Sequence, residues 1–348
     1  MKYRMCAFDP SCSLDFLVFI RSLPFNYTIE LCMQNLSSLP PPPATRPRLK
    51  KQFMGWLLVG LLWLLQWLPF SVMSRLGWWL GGRLWHWAPS RRRIAQRNIA
   101  LCFPELSATE QEALVREHLR WMGRSLIERS LLWFASEQRL RSLIHIKGDF
   151  HFADRTTAPV MWLLPHFAGI DWASPALGLF QNRGGADVYS GQSNAVLDQQ
   201  LLRARSRFGK TVFVPRQAGI RPIIRAIKEG YAFVNAPDLD HGAKDAGFVP
   251  FFGIPACTLL STGRMAASLG MAVQPIVITM LPGAQGYEVE GCPPFEHFPS
   301  GDALADAQRV NTWLEGRIRQ NPAQYFWVHK RFKTRPPGEP SLYDEGQG

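Results

Sequence analysis

One stretch limits the folds open to this chain more than any other: Met54 to Phe70 (MGWLLVGLLWLLQWLPF), seventeen residues interrupted by a single polar side chain, Gln66. A helix that crosses a bilayer typically needs about 20 apolar residues, so the run sits at the lower bound, and spanning, oblique entry and an interfacial position all stay open. Between Cys32 and Pro104 there is no aspartate or glutamate, yet ten basic residues fall there, from Arg46 to Arg97. The chain as a whole carries 39 basic and 27 acidic residues, a net charge of +12, so most of the excess belongs to this segment. Seven of the 13 tryptophans lie between Trp56 and Trp87. Tryptophan favours the headgroup level, where its ring is buried and its N–H stays wet. A buried core helix explains the apolar run but neither the tryptophans nor the purely positive flanks. Together they predict a membrane-anchoring helix that leaves the rest of the chain on the cytoplasmic face of an anionic leaflet. Nucleic acid is not expected as a partner, because long apolar runs between the charges contribute nothing to contacts with phosphates and bases.

The remaining composition, 47% hydrophobic and 19% charged, is that of a globular protein. Six cysteines are scattered without a CxxC pair, which speaks against both a zinc site and a disulfide framework and suits a reducing compartment. No small-residue cleavage site follows the apolar run, so it reads as retained. Residues 1–45 do not resemble the rest and end in Pro40 to Pro43; they read as a disordered extension, or as the product of a start codon upstream of Met33 or Met54. The expected division is therefore 1–45 extension, 46–90 anchor and interfacial helix, 91–340 body, and 341–348 tail.

Within the body, Arg91 to Phe134 has helical spacing, with a capping box at Ser107-Ala-Thr-Glu110. Short apolar segments (160–164, 186–189, 211–214, 232–236, 273–279 and 287–290) read as strands. They alternate with helical segments (194–208, 217–229, 258–269 and 303–319). The fold class this predicts is α/β, a layered mixed sheet with flanking helices.

In such folds reactive groups collect at the carboxyl ends of the strands. There, VMWLLPHFAGIDWAS runs from an apolar strand into His166, with Asp171 five residues on. An imidazole can take a proton from a hydroxyl while a carboxylate on its other nitrogen fixes the tautomer. The spacing alone fits equally well a structural histidine followed by a helix N-cap. No G-x-S-x-G elbow, GxxxxGK[ST], GxGxxG or HExxH occurs, and no metal-type cluster, so neither metal nor cofactor is expected. A histidine base without an evident protein nucleophile suggests that the nucleophile belongs to the substrate.

Several blocks in order carry a resemblance: RNIALCFPEL from Arg97, Gly123-Arg124-Ser125, the His166-X4-Asp171 block, RARSRFG from Arg203, DLDHGAKDAGFVPFFG from Asp238 to Gly253, and WVHKRFKTRP from Trp327 to Pro336. The chain resembles the bacterial lipid A biosynthesis late acyltransferases, lauroyl or myristoyl transferases within the HX4D acyltransferase superfamily. The resemblance implies a glycerolipid acyltransferase-like fold. It also implies transfer of a fatty acyl chain from acyl carrier protein to a hydroxyl of a lipid A precursor, at the inner membrane. His166 and Asp171 would be the catalytic pair. Arg203, or Arg207 one turn on, would bind a lipid phosphate or the oxyanion. Asp238 would fall in the acceptor-binding block, where the superfamily's FPEGTR wording is absent. Lys330 and Arg331 would meet sugar phosphates or the acidic carrier protein. The competing readings are an acyltransferase acting on a lysophospholipid or aminolipid, and a non-catalytic peripheral membrane protein that holds anionic lipid.

Overall fold

The computed structural model describes residues 49–343; the extension expected over 1–45 and most of the 341–348 tail lie outside them. Four helices open the described chain: α1 (Leu49–Leu65), α2 (Phe70–Trp87), α3 (Pro89–Cys102) and α4 (Ala108–Phe134). The capping box forms as expected, with the Glu110 carboxylate accepting from the Ser107 N–H at 2.8 Å and Ser107 Oγ accepting from the Glu110 N–H at 3.3 Å. At 27 residues, α4 is about 40 Å long and serves as the spine against which α1, α2 and α3 pack.

Helix α1 buries Gly55, Val59, Leu62 and, just past its end, Gln66, one helical stripe, half-buries Leu65, and leaves most of its other apolar surface exposed. Among the described residues no helix is long and apolar enough to cross a membrane. Helix α1 stops at Leu65, and α2 begins at Phe70 after a turn, with Pro69 at its N-cap. Arg139 holds that turn by donating to the carbonyls of Gln66 and Leu68.

Helices α2 and α4 cross at glycines. A Cβ on Gly123 would lie 2.3 Å from the Gly81 nitrogen and 2.4 Å from the Gly77 oxygen, so the two backbones touch there. Beside this crossing the buried Glu128 carboxylate accepts from Ser74 Oγ at 2.8 Å, from Arg124 Nε at 2.8 Å and from the Tyr287 hydroxyl. Arg124 also donates to the Leu281 carbonyl at 2.8 Å, tying the helical layer to the sheet.

After α5 (Glu137–Leu143) the chain builds the α/β body: β1 (Ile144–Gly148), α6 (Phe152–Arg155), β2 (Val160–Leu163), α7 (Ala173–Phe180), β3 (Gly185–Tyr189), α8 (Ala195–Arg205), β4 (Thr211–Pro215), α9 (Arg221–Lys228), β5 (Ala232–Asn235), β6 (Ala246–Phe251), β7 (Ile254–Leu259), α10 (Ser261–Leu269), β8 (Ala272–Met280), β9 (Tyr287–Gly291) and α11 (Ala303–Gln320). Seven strands form one sheet in the order β1-β9-β8-β2-β5-β3-β4, and β6 and β7 form a separate hairpin. The five strands β8, β2, β5, β3 and β4 are mutually parallel, while β9 pairs antiparallel to β8 and parallel to β1.

The sheet is covered on both faces, as its continuous apolar strands require. Along β2, Val160 and Trp162 join one core cluster with Val59, Leu62 and Leu131, so that face lies under α1, α4, α7 and α8. Met161 and Leu163 join the other, with Ile223, Ala226, Ile227, Ala266 and Val310 from α9, α10 and α11. Beta alternation thus separates two helical layers.

The six strands and four body helices expected from the sequence are all present, with shifted ends. Thr258 and Leu259 belong to β7, not to the helix expected from 258, and α9 starts at Arg221 after the positive-φ Gly219 (φ 73°). A Gly123→Ala substitution should destabilise the protein by about 1–3 kcal/mol, because a methyl group there forces the two helices apart. Denaturant titration against wild type measures it; equal stability would show that the crossing is not tight.

Candidate active site

Strands β2 and β5 are adjacent and parallel, with Leu163 opposite Asn235. Three residues beyond this pair, on each strand, stand His166 and Asp238. The Asp238 carboxylate accepts twice from the same residue: from the His166 backbone N–H at 2.9 Å and from Nδ1 at 2.7 Å. Asp238 is buried, which alone would raise its pKa, but His166 and the donors around it hold it below the usual carboxylate range. An ionised Asp238 can only accept, so Nδ1 carries the proton. Nε2 is then the basic nitrogen; it has no hydrogen-bond partner among the described residues, and the side chain is 23% exposed. Burial disfavours the imidazolium, but the charge and hydrogen bond of Asp238, with Asp171 beyond it, outweigh burial and raise the His166 pKa.

Asp171, expected to hold the imidazole, sits in the short 3-10 turn Ile170–Trp172 and is bonded elsewhere. Arg129, from α4, donates to Asp171 Oδ2 through Nε at 3.1 Å and Nη2 at 2.5 Å, and Arg205, from α8, approaches Oδ1 at 3.4 Å. Against its burial, these two guanidinium groups pull the Asp171 pKa down to about 2. Arg205 also stands 3.8 Å from Asp187 on β3, whose pKa burial pushes up to about 6 although Arg205 opposes it. The five-residue spacing brings Asp171 near the histidine, as a charge that acts on its titration, while the ring's hydrogen-bond partner lies seventy-two residues later, just past β5.

Of the two arginines singled out on α8 and after it, Arg203 is exposed and carries no hydrogen bond or ion pair among the described residues. Arg207 donates to the carbonyls of Leu132 and Ala135 and lies over the Phe208 ring, fastening the end of α8 to α4. The arginine at the site is the one between them, Arg205. Arg129 was also not foreseen; its only sequence signal is a position one turn after the Gly123-Arg124-Ser125 block.

In the C-terminal block, Arg331 and Lys330 both make contacts within the chain. Arg331 is 2% exposed and donates to the Cys257 carbonyl and Thr258 Oγ1 at 2.7 and 2.8 Å, and the Lys330 ammonium stands 5.3 Å from the Tyr343 ring centroid. Buried Asn98 donates to the carbonyls of Trp327 and His329, both at 2.7 Å, and Asp240 accepts from Thr334 N and Oγ1. The segment so held runs beside the loop that carries His166: the Phe326 N–H donates to the His166 carbonyl, and the Ala168 N–H to that of Gln324.

Among the described residues no group of three or more His, Cys, Asp or Glu side chains could hold a metal ion. The described cysteines are buried; burial raises the Cys102 and Cys257 pKa and pushes that of Cys292 up to about 11, so none supplies a thiolate nucleophile near neutral pH. The arrangement is a histidine base with a fixed tautomer beside two arginines, suited to deprotonating a hydroxyl brought by a substrate.

Residues 43–334 match the family model described as bacterial lipid A biosynthesis acyltransferase. The chain belongs to this family. It is 31% identical over 296 residues to the lipid A biosynthesis palmitoleoyltransferase of Escherichia coli, covering 84% of this chain and 95% of that one. It is 32% identical to the lauroyltransferase of the same organism, with the same coverage, and 31% identical over 301 residues to a lipid A biosynthesis acyltransferase of Haemophilus influenzae. A solved structure, the 1-acyl-sn-glycerophosphate acyltransferase PlsC from Thermotoga maritima, overlaps 78% of this chain and 96% of that one at a TM-score of 0.33 and 14% identity, too slight a likeness to bear on the site. Like the family, this chain is an acyltransferase.

Arg205→Ala should lower acyl transfer by about 100-fold, since it removes a half-buried charge that both Asp171 and Asp187 face. Arg203→Ala should stay within about twofold, as surface substitutions usually do. Steady-state assays at matched folded concentration separate them, and the reverse ranking would return the role to Arg203.

Proposed function

We propose that the protein transfers a fatty acyl chain from an acyl carrier protein thioester to a hydroxyl of a lipid A precursor, at the cytoplasmic face of the bacterial inner membrane. The observation that carries the mechanism is the double hydrogen bond from His166 to Asp238. Nε2 takes the proton of the acceptor hydroxyl as its oxygen attacks the thioester carbonyl. The tetrahedral intermediate collapses, the carbon–sulfur bond breaks, and the imidazolium returns its proton to the departing thiolate. Asp238 holds the ring and stabilises its charged form. Asp171 acts through Arg129 and Arg205, keeping two guanidinium groups beside the reacting atoms, where one can stabilise the oxyanion or hold a lipid phosphate. The acceptor class is supported by the relatives, each of which is named for lipid A biosynthesis.

His166→Ala should cost about 100-fold to 10,000-fold in turnover. Since the base must be neutral, the wild-type rate should rise with pH through the raised His166 pKa. In Asp238→Asn the pKa falls, so that limb should move to lower pH while the plateau drops, because the tautomer is no longer pinned. The pH profile of acyl transfer to a purified acceptor measures both; an unmoved limb would dissociate Asp238 from the base. Mass spectrometry of lipid A from cells with and without the gene tests the acceptor.

The reading places α1 at the membrane interface. Phe53, Trp56, Leu57, Leu61, Leu64 and Trp67 are exposed there, and Trp79 and Trp87 on α2 are also bare. So extensive an apolar surface marks a contact with lipid or protein, and its tryptophans favour lipid. The pair Trp56→Glu/Trp67→Glu should reduce sedimentation with anionic vesicles severalfold while leaving the far-UV spectrum unchanged. Undiminished binding would move the lipid contact elsewhere.

A further inference from the structure

Helix α9 presents a stripe of charge that the catalytic site does not use. Its exposed side carries Arg221, Arg225 and Lys228, spaced four and three residues apart and so aligned on one face, while Ile223, Ala226 and Ile227 are buried beneath. Arg216, on the short turn that leads into the helix, extends the stripe. None of the four makes a hydrogen bond or ion pair among the described residues, in contrast to Arg129, Arg205, Arg207 and Arg331. The helix itself contains no acidic residue; Glu229 follows at its end.

Two placements identify what the stripe meets. First, it starts at the site: Arg216 follows the carboxyl end of β4, on the same edge of the sheet from which His166 and Asp238 project, and its charge acts on His241 together with that of His166. Second, it lies on the far side of the sheet from α1. The buried side of α9 packs with Met161 and Leu163, whereas α1 belongs to the layer over Val160 and Trp162. With the bare apolar face of α1 against lipid, the α9 stripe is turned toward the aqueous phase, where an acidic macromolecule rather than a bilayer is its complement.

We propose that Arg216, Arg221, Arg225 and Lys228 form the docking surface for the acidic carrier protein that delivers the acyl thioester. This rests on the donor named above, and it transfers to α9 the role that the sequence had pointed to Lys330 and Arg331. A carrier seated there puts its thioester arm at the edge of the sheet where His166 stands, while the acceptor enters from the membrane side. Rim charges of this kind act mainly on encounter rate and salt dependence.

The test compares wild type with the triple variant Arg221→Glu/Arg225→Glu/Lys228→Glu on lauroyl-loaded carrier protein and on lauroyl-pantetheine, which lacks the protein. The variant should raise KM for the carrier thioester by about tenfold or more with kcat unchanged. Added salt should raise the wild-type KM, that rise should be lost in the variant, and lauroyl-pantetheine should turn over at the wild-type rate. The neutral set Arg221→Gln/Arg225→Gln/Lys228→Gln should move KM the same way by less, and gives the answer if charge reversal impairs folding. An unchanged KM for the carrier thioester would overturn the docking surface alone. So would loss of sedimentation with phosphatidylglycerol vesicles at unchanged carrier KM, which would make the stripe a lipid contact. Wild type that consumes lauroyl-pantetheine but not the carrier thioester would overturn the donor itself, and this surface with it.

Discussion

The site depends on the parallel pairing of β2 with β5. Two side chains seventy-two residues apart meet because their strands leave the sheet side by side at equal height. The Asp238 carboxylate then accepts from both the backbone N–H and the ring N–H of His166. A bidentate contact of this kind fixes position and tautomer together, which a carboxylate on a flexible loop could not do. The cost is a buried charge, and it is offset locally: every described partner of Asp238 is a donor or the histidine it orients.

Around this pair the fold assigns charged residues to two kinds of work. Arg331, Arg207, Arg124 and Asp240 are spent on carbonyls, hydroxyls and a buried carboxylate that hold layers and the C-terminal segment in place. That segment then runs along the His166 loop, bonded through the Phe326 and Gln324 backbone, so His166 is held partly by residues near the opposite end of the chain. Arg129 and Arg205, by contrast, are held by a carboxylate at the site and remain about one-third exposed, a state in which a guanidinium can still meet an incoming anion.

The two faces of the sheet give the molecule a polarity, which under the proposed reaction separates an acceptor side from a donor side. One layer ends in the bare apolar side of α1, and the other in the basic side of α9. His166 and Asp238 stand at the sheet edge between them.

From its sequence alone the chain determined its fold class, six of the nine strands and four of the six helices of the described body, the capping box at Ser107, the apolar surface before Trp87 and the position of His166. Each of these follows from local patterns: hydrophobic period, turn chemistry and a strand running into a short motif. Strand β1 and the β6–β7 hairpin escaped because the one is a short, half-exposed edge and the other is broken by Pro250 and glycines that look like loop. The partners of the histidine were not legible for a different reason. Asp171 is near in sequence and drew the role, but Arg129 and Arg205 claim it, and Asp238 arrives through strand order, which no local pattern encodes. Likewise an arginine reads the same whether it faces solvent, as Arg203 does, or a buried carbonyl, as Arg331 does. Only tertiary packing decides what surrounds a charge, because its energy is set by the groups brought within a few ångströms and by the water excluded from between them.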